Sequence, residues 1–305
     1  MTDSGSVQDI KNTPKQCSII IVTYNSSSCI GACLAPLLDM SEVELVVVDN
    51  DSKDGTAVKL RNEFPQVTLI ALHDNIGFGR ACNIGVAASN GAFFLFLNPD
   101  TIARAEAIRT LYEFHEKHPR VGIIGGRLVD PSGLPLQSMG DTPSLTGLVV
   151  DKPLAWMAKR VRSRGWLRKI LGRCSAKFSM PHEAQRVAWV SGAFLGCRRS
   201  IWNEIGGFDE QFFMYYEDVD LCLRATQAGW EVWHIPDAVV EHQSGASFGG
   251  DLYKQKEIYY ANQYYFFLKH FGRPIAWALW ILQSVYSRLG LYRRLGTDRI
   301  GRGLL

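Results

Sequence analysis

At 305 residues, with 47% hydrophobic and 21% charged side chains, the chain can bury the core of one large soluble domain with appendages. Its richest apolar run, around residues 275–282, is far shorter than the roughly 18 residues a membrane-spanning helix needs, so no spanning helix is predicted. The net charge of +3 excludes little by itself, and seven scattered cysteines with no Cys-x-x-Cys spacing favour a reducing compartment without structural zinc.

The opening "MTDSGSVQDIKNTPKQ" is polar without an apolar centre, which predicts a loose tail over residues 1–16 rather than a signal peptide, and a cytoplasmic chain. From Cys17 onward short apolar runs alternate with helix-length segments. "SIIIVTY", "ELVVVDN", "VTLIAL" and "AFFLFLN" are continuous rather than alternating, as parallel strands covered on both faces should be. Ser52, Asp54 and Gly55 supply a turn and cap for a helix starting near Thr56. The expectation is an α/β, doubly wound half with a mostly parallel sheet.

After Asp130 the pattern becomes irregular. Between residues 152 and 177 there are nine Lys or Arg and no Asp or Glu, interleaved with Trp156, Met157, Trp166, Leu167, Ile170 and Leu171. Regular patterning resumes with "VAWVSGAFLGCRR", a helix near Ser200, and the acidic stretch "FFMYYEDVDLCLRATQAGW". A second basic group, Arg288, Arg293, Arg294, Arg299 and Arg302, follows "PIAWALWILQSVYSRLGLY". Two readings stand for these segments: an amphipathic footing on an anionic membrane surface, or a solvated face packed on its own domain. No recognisable nucleic-acid module accompanies the charge, and no nucleic acid is expected as a partner.

In sheets of this kind ligands bind beyond the carboxyl ends of the strands, where helix N-termini and free amides converge. The polar residues there are Thr23, Tyr24 and Asn25 after the first strand, Asp49, Asn50 and Ser52 after the second, and Asn98 and Asp100 after the fourth. A dinucleotide-binding turn would need Gly-x-Gly-x-x-Gly after the first strand, and "TYNSSSCIG" does not fit. "GFGRACNIG", from Gly77 through Asn83 to Gly85, has glycines but follows a loop after the third strand.

Taken in order, "SIIIVTYNS", "ELVVVDNDSKDGT", "NIGFGRACNIG", "FLFLNPD", "VSGAFLGCRR" and "FFMYYEDVDLCLR" resemble the inverting GT-A glycosyltransferases of family 2 that include bacterial rhamnosyltransferases. The resemblance covers roughly residues 17–245. It implies a GT-A catalytic domain made of a nucleotide-binding half (17–130), a basic acceptor- or membrane-facing insertion (131–186) and an acceptor and base half (187–245). Residues 246–305 would form a helical, basic extension.

By that resemblance Thr23, Tyr24, Asn25, Asn50 and Ser52 line the nucleotide-sugar pocket with Gly77, Asn83 and Asn98, and Asp49 takes the base or ribose. The residues alone allow Asp49, Ser52 and Asp54 to be turn and cap groups instead. Asn98, Pro99 and Asp100 stand where the family has Asp-x-Asp, the divalent-metal and diphosphate site, so the first acid is here an amide. Mg²⁺ or Mn²⁺ prefers carboxylate and phosphate oxygens, and one carboxylate would make its binding lean on the incoming diphosphate. The alternative for the same three residues is a turn that ends the strand. His242 in "AVVEHQSG" matches a family histidine near that metal, or is a structural histidine at a strand end.

The family places its general base in the Glu217-Asp218 pair, with Asp218 as the base and Glu217 binding the acceptor or raising the basicity of Asp218. Read alone, both are acids at a helix start, where the dipole favours them, and Asp220 with Arg224 makes an i, i+4 pair. Trp189, Ser191, Gly192 and Ala193 would border the acceptor and sugar, or form a tight hairpin. The implied activity is single-displacement transfer of a sugar, with dTDP-L-rhamnose the favoured donor, to a saccharide or polyprenyl-diphosphate-linked acceptor at the inner face of the cytoplasmic membrane. The competing expectation is a catalytically silent sugar-nucleotide or glycan-binding module of the same fold. A nucleotide-dependent oxidoreductase is disfavoured by the missing glycine fingerprint.

Overall fold

The computed structural model describes residues 17–145, 147, 181–243 and 252–288. The tail 1–16, the basic run at 152–177 and Arg293, Arg294, Arg299 and Arg302 lie outside the described residues.

The first half runs β1 (Cys17–Thr23), α1 (Ile30–Leu34), β2 (Val43–Asp49), α2 (Thr56–Glu63), β3 (Thr68–Ala71), α3 (Phe78–Ala87), β4 (Phe93–Leu97), β5 (Thr101–Ala103), α4 (Ala105–Lys117) and β6 (Val121–Val129). Then come the short β7 (Met139–Gly140), β8 (Gln185–Arg186) and β9 (Trp189–Val190), followed by β10 (Phe194–Arg198), α5 (Arg199–Ile205), α6 (Glu217–Gln227) and β11 (Glu231–His242). Two helices close the described chain, α7 (Leu252–Phe271) and α8 (Arg273–Arg288).

The main sheet has the order β3-β2-β1-β4-β10-β6-β11-β5, with β8 also paired to β11. Strands β3, β2, β1 and β4 are parallel, as the apolar runs predict. Beyond them the sheet is mixed, because β10 enters antiparallel between β4 and β6. Alternation in β1 shows the double winding directly. Ile19 and Ile21 join the cluster that holds α1 and α4, whereas Ile20 and Val22 join the one that holds α3, α5 and α6. All five side chains of β4 are buried, each worth about 1.5–3 kcal/mol on transfer from water. The reading of "VTLIAL" as covered on both faces does not hold: β3 has exposed and half-buried positions because it is the sheet's edge.

A third apolar cluster lies apart from the sheet. Phe266 and Phe267 of α7 and Ala276 and Leu279 of α8 pack against Phe212, Tyr216 and Val219. The C-terminal helices are thus seated on the loop that leads into α6, a contact whose consequence appears at the site.

Candidate active site

Strand β4 ends at Leu97, and the turn Asn98-Pro99-Asp100 steps sideways into β5. Because β5 pairs antiparallel with the end of β11, with His242 opposite Thr101, the last residue of β11 arrives beside the turn. His242 Nε2 lies 3.2 Å from Asp100 Oδ1 and 3.3 Å from Asn98 Nδ2. Asp100 is only 5% exposed, and its Oδ1 accepts no hydrogen bond among the described residues. A buried carboxylate oxygen left so costs free energy unless a ligand satisfies it.

The pair Glu217 and Asp218 opens α6. Tyr215 and Tyr216 hold left-handed backbone conformations at φ +70 and +71, which is strained for residues with a Cβ. Asp218 is half-buried and accepts two backbone N–H groups, from Gly192 at 3.0 Å to Oδ2 and from Val219 at 2.8 Å to Oδ1. Burial raises its pKa above the ordinary aspartate value, against the opposing pull of those hydrogen bonds. Glu217 behaves differently. Its side chain is 5% exposed beneath α3, next to Gly79, and burial with the nearby charge of Asp218 holds its carboxyl well above the usual range. Glu217 is therefore an interior group, packed beneath α3 and covered on the side where contact with an acceptor was expected. Asp220 is fully buried and paired with Arg224 Nε at 2.7 Å, Lys269 Nζ at 2.7 Å and His270 Nε2 at 2.7 Å.

The segment Ser191-Gly192-Ala193 links the two acidic motifs. Gly192 donates to Asp218, while Ala193 O accepts the N–H of Asn98 at 3.2 Å. Its own position is fixed by Ser191 N–H to Ser138 O at 2.9 Å and by β9, which pairs with β7. A Cβ added at Gly192 would stand at ordinary van der Waals distance, 3.4 Å from Phe78 and 3.6 Å from Asp218 Cβ. Trp189 is tied through Nε1 to Asp141 O at 3.1 Å.

The residues expected to line a nucleotide pocket brace one another. Asp49 is 2% exposed and accepts Thr23 Oγ1 at 2.8 Å and Ser52 N–H at 3.1 Å. Asn25, at φ +52, accepts Lys53 N–H at 2.8 Å and donates its own N–H to Ser52 Oγ at 2.8 Å. Half-buried Tyr24 follows Thr23 at the mouth of this turn. Asn50 is consumed by Ile76 N–H, Gly77 O and Asn75 Oδ1. Gly77, at φ +90, is needed because a Cβ would lie 2.5 Å from Phe213 O. Asn83 departs from its expected role: its amide accepts Phe208 N–H at 3.0 Å and donates to Phe208 O at 2.9 Å, bracing the loop before α6 instead of meeting a nucleotide.

A family model described as "Glycosyl transferase family 2" matches residues 18–186, more than half of the chain. The chain belongs to glycosyl transferase family 2. Among similar proteins, the N-acetylglucosaminyl-diphospho-decaprenol L-rhamnosyltransferase of Mycobacterium tuberculosis is 30% identical over 278 residues, covering 86% of this chain and 88% of the relative. Rhamnosyltransferase WbbL of Escherichia coli K12 is 26% identical over 228 residues, covering 72% of this chain and 80% of the relative. A mannosyltransferase from Pyrobaculum calidifontis, solved with GDP-Man and Mn²⁺, superposes with a TM-score of 0.55 at 15% identity over 92% of this chain and 82% of its own. That likeness establishes the GT-A fold.

This family 2 glycosyltransferase offers a sparse metal donor set. Among the described residues no group of three or more His, Cys, Asp or Glu converges to hold an ion. The unsatisfied Oδ1 of Asp100 and the imidazole of His242 nevertheless fit a divalent cation, with about four octahedral places left for diphosphate and water. Asn98 presents a donor nitrogen to His242 and would have to turn its oxygen toward a cation.

Sequence reading missed the uncharged polar residues of the C-terminal helices. Gln263 Nε2 donates to Tyr216 OH, Asn262 Nδ2 to Met214 O at 2.6 Å, and Gln255 Nε2 to Tyr215 OH at 2.7 Å. The available signal was the intrusion of Asn262, Gln263 and Gln283 into "YYANQYYFF" and "WALWILQSV".

Proposed function

We propose that this glycosyltransferase carries a sugar, with dTDP-L-rhamnose the favoured donor, to a hydroxyl of a polyprenyl-diphosphate-linked saccharide with inversion at the anomeric carbon. One observation carries the assignment of roles: the two-residue bridge of Gly192 and Ala193 from Asp218 to Asn98, which ties the base to the turn that bears the diphosphate-side carboxylate Asp100. Asp218 removes the acceptor's hydroxyl proton, the oxygen attacks the anomeric carbon, and the bond to the nucleoside diphosphate breaks on the opposite face. The raised pKa of Asp218 suits a carboxylate to this task. Asp100 and His242 would hold a divalent cation, Mg²⁺ or Mn²⁺. When bound, that ion supplies Lewis-acid stabilisation of the leaving diphosphate. The one-carboxylate donor set supports entry of metal together with the nucleotide.

The choice of donor and acceptor rests on the similarity to rhamnosyltransferases, one of which is named for a decaprenol-linked substrate. Among the described residues no helix is long and apolar enough to cross a membrane. A lipid-linked acceptor therefore calls for a surface contact, and α8 offers one. Trp277, Ile281 and Val285 are 63%, 39% and 46% exposed along one side of it, and basic residues follow in the sequence. The test is release of nucleoside diphosphate from a panel of sugar nucleotides, with and without Mn²⁺ and with an N-acetylglucosaminyl-diphospho-prenol acceptor. Release from dTDP-L-rhamnose that depends on acceptor supports the reading. Equal silence with every donor in folded protein overturns it in favour of a binding module. Flotation with phosphatidylglycerol vesicles tests the surface contact, and failure to float removes it.

A further inference from the structure

Buried polar side chains between α7, α8 and the base loop form a chain that the activity above does not use. Gln283 of α8 is 6% exposed and donates to Gln263 Oε1 at 2.7 Å. Gln263 of α7, 1% exposed, donates in turn to the hydroxyl of Tyr216. Tyr216 is 7% exposed, caps the start of α6, and stands two residues before Asp218. Tyr216 belongs to an apolar cluster with Phe212, Phe266, Phe267, Ala276 and Leu279, and Gln263 and Gln283 are buried on the same two helices. Burying three uncharged polar groups in such surroundings is costly unless each is hydrogen-bonded, and a satisfied network specifies one geometry. The geometry specified is unusual. Tyr215 and Tyr216 are both left-handed, and consecutive residues with a Cβ hold that conformation only when their surroundings enforce it. The enforcing contacts come from α7: Gln263 on the Tyr216 hydroxyl, Gln255 on the Tyr215 hydroxyl and Asn262 on the Met214 carbonyl.

We propose that the C-terminal helix pair is a positioning device for the catalytic base, acting through the hydrogen-bonded relay Gln283–Gln263–Tyr216 to hold the strained entry of α6 and so the direction of the Asp218 carboxylate. Gln263, Gln283 and Tyr216 are positioning residues that act through Asp218. The relay also explains why α8 has two dissimilar sides. Gln283 faces inward to α7, while Trp277, Ile281 and Val285 face outward. The helix read as a membrane footing is thereby one hydrogen-bonded step from α7 and two from the base loop. This inference rests on Asp218 being the base.

The experiment compares Gln263→Leu, Tyr216→Phe and the triple variant Tyr216→Phe/Gln263→Leu/Gln283→Leu with wild type, using dTDP-L-rhamnose and the N-acetylglucosaminyl-diphospho-prenol acceptor. Folded fraction is followed by circular dichroism and melting. The expected result is a kcat lower by tenfold or more in each single variant, with the KM for donor within about twofold, because the nucleotide turn is untouched. Removing all three relay groups at once should restore much of the Tm of the triple variant, since the Tyr259 hydroxyl that also meets Tyr216, at 3.4 Å, is only half-buried and no fully buried relay group is left unpaired, yet leave kcat low. Recovery of kcat together with Tm, or a kcat that merely follows the folded fraction, overturns the positioning role. Asp218→Asn is run beside them. If it keeps wild-type turnover the base assignment itself fails, whereas a dead Asp218→Asn beside fully active relay variants overturns the relay alone.

Discussion

Replacing Asp218 with asparagine removes a proton acceptor while keeping nearly the same shape. The carboxylate accepts Gly192 N–H at one oxygen and Val219 N–H at the other. An amide has a single acceptor oxygen, so its NH₂ must face one of these donors, and a buried donor without a partner costs about 1–3 kcal/mol. Part of that loss is offset, because the variant no longer buries the charge whose desolvation raises the Asp218 pKa. Stability should therefore change by no more than about 2 kcal/mol. The effect on the reaction is larger: loss of general-base help slows turnover about 10²–10⁴-fold, which is about 3–5 kcal/mol of barrier. Acceptor-dependent release of nucleoside diphosphate at saturating donor measures the rate, thermal melting the stability, and calorimetric titration the donor affinity, which should be unchanged. In wild type, activity falls as pH drops through the pKa of the base, and that midpoint lies above the ordinary aspartate value of about 3.9. The variant should lose this acid limb. A well-folded Asp218→Asn protein turning over within about threefold of wild type would refute the assignment and the energetic reasoning together.

Asp100→Ala should abolish the Mn²⁺-dependent part of nucleoside diphosphate binding while leaving the metal-free part intact, as read by titration calorimetry with and without Mn²⁺; equal losses in both arms would show a structural effect. Asp220→Asn removes the charge that faces Arg224, Lys269 and His270 at a fully buried position, and should destabilise the fold by about 3–5 kcal/mol in denaturant titration, although Lys269 keeps Asp209 and Arg224 keeps two carbonyls. The Asp220 pKa is lowered, because hydrogen bonds and charge from His270, Arg224 and Lys269 outweigh burial. That stabilisation is present above the unfolded value and lost as pH falls through the folded one. Glu217 has the opposite sign. Its raised pKa gives stability that is full below the unfolded value of about 4.3 and lost as pH rises through the folded value. Melting curves across that window should fall with pH in wild type and stay flatter in Glu217→Gln. Gly77→Ala places a Cβ 2.5 Å from Phe213 O at φ +90, and should cost about 2–5 kcal/mol from strain plus overpacking; an unchanged melting temperature would contradict that close approach.

What could be read ahead of the structure follows from what a residue's neighbours in sequence record. Strands β1, β2 and β4 are covered on both faces, so they appear as unbroken apolar runs and were legible. The direction of β10 was not, since "AFLGCRR" reads the same whether it pairs parallel or antiparallel. Three-residue β5 is too short to leave a pattern, although its pairing with β11 helps bring His242 to Asp100. Resemblance supplied His242, and physics alone would have left it a strand-end histidine. Asn83 went astray because a polar residue on a glycine-rich helix looks the same whether it serves a ligand or a loop 125 residues away. Gln263 was overlooked for a related reason. Its partner Tyr216 is 47 positions distant, and only the fold joins them.

The antiparallel entry of β10 has a consequence for the layout of the site. It starts where β4 finishes, so the chain that leaves the sheet after β6 and re-enters through β8 and β9 arrives with Gly192 and Ala193 between the end of β4 and the start of α6. That return is held by the pairing of β8 with β11 and of β9 with β7. A change of length or composition between β7 and β8 is accordingly expected to leave in place the contacts from Gly192 to Asp218 and from Asn98 to Ala193, because both ends of the stretch are anchored in a ladder.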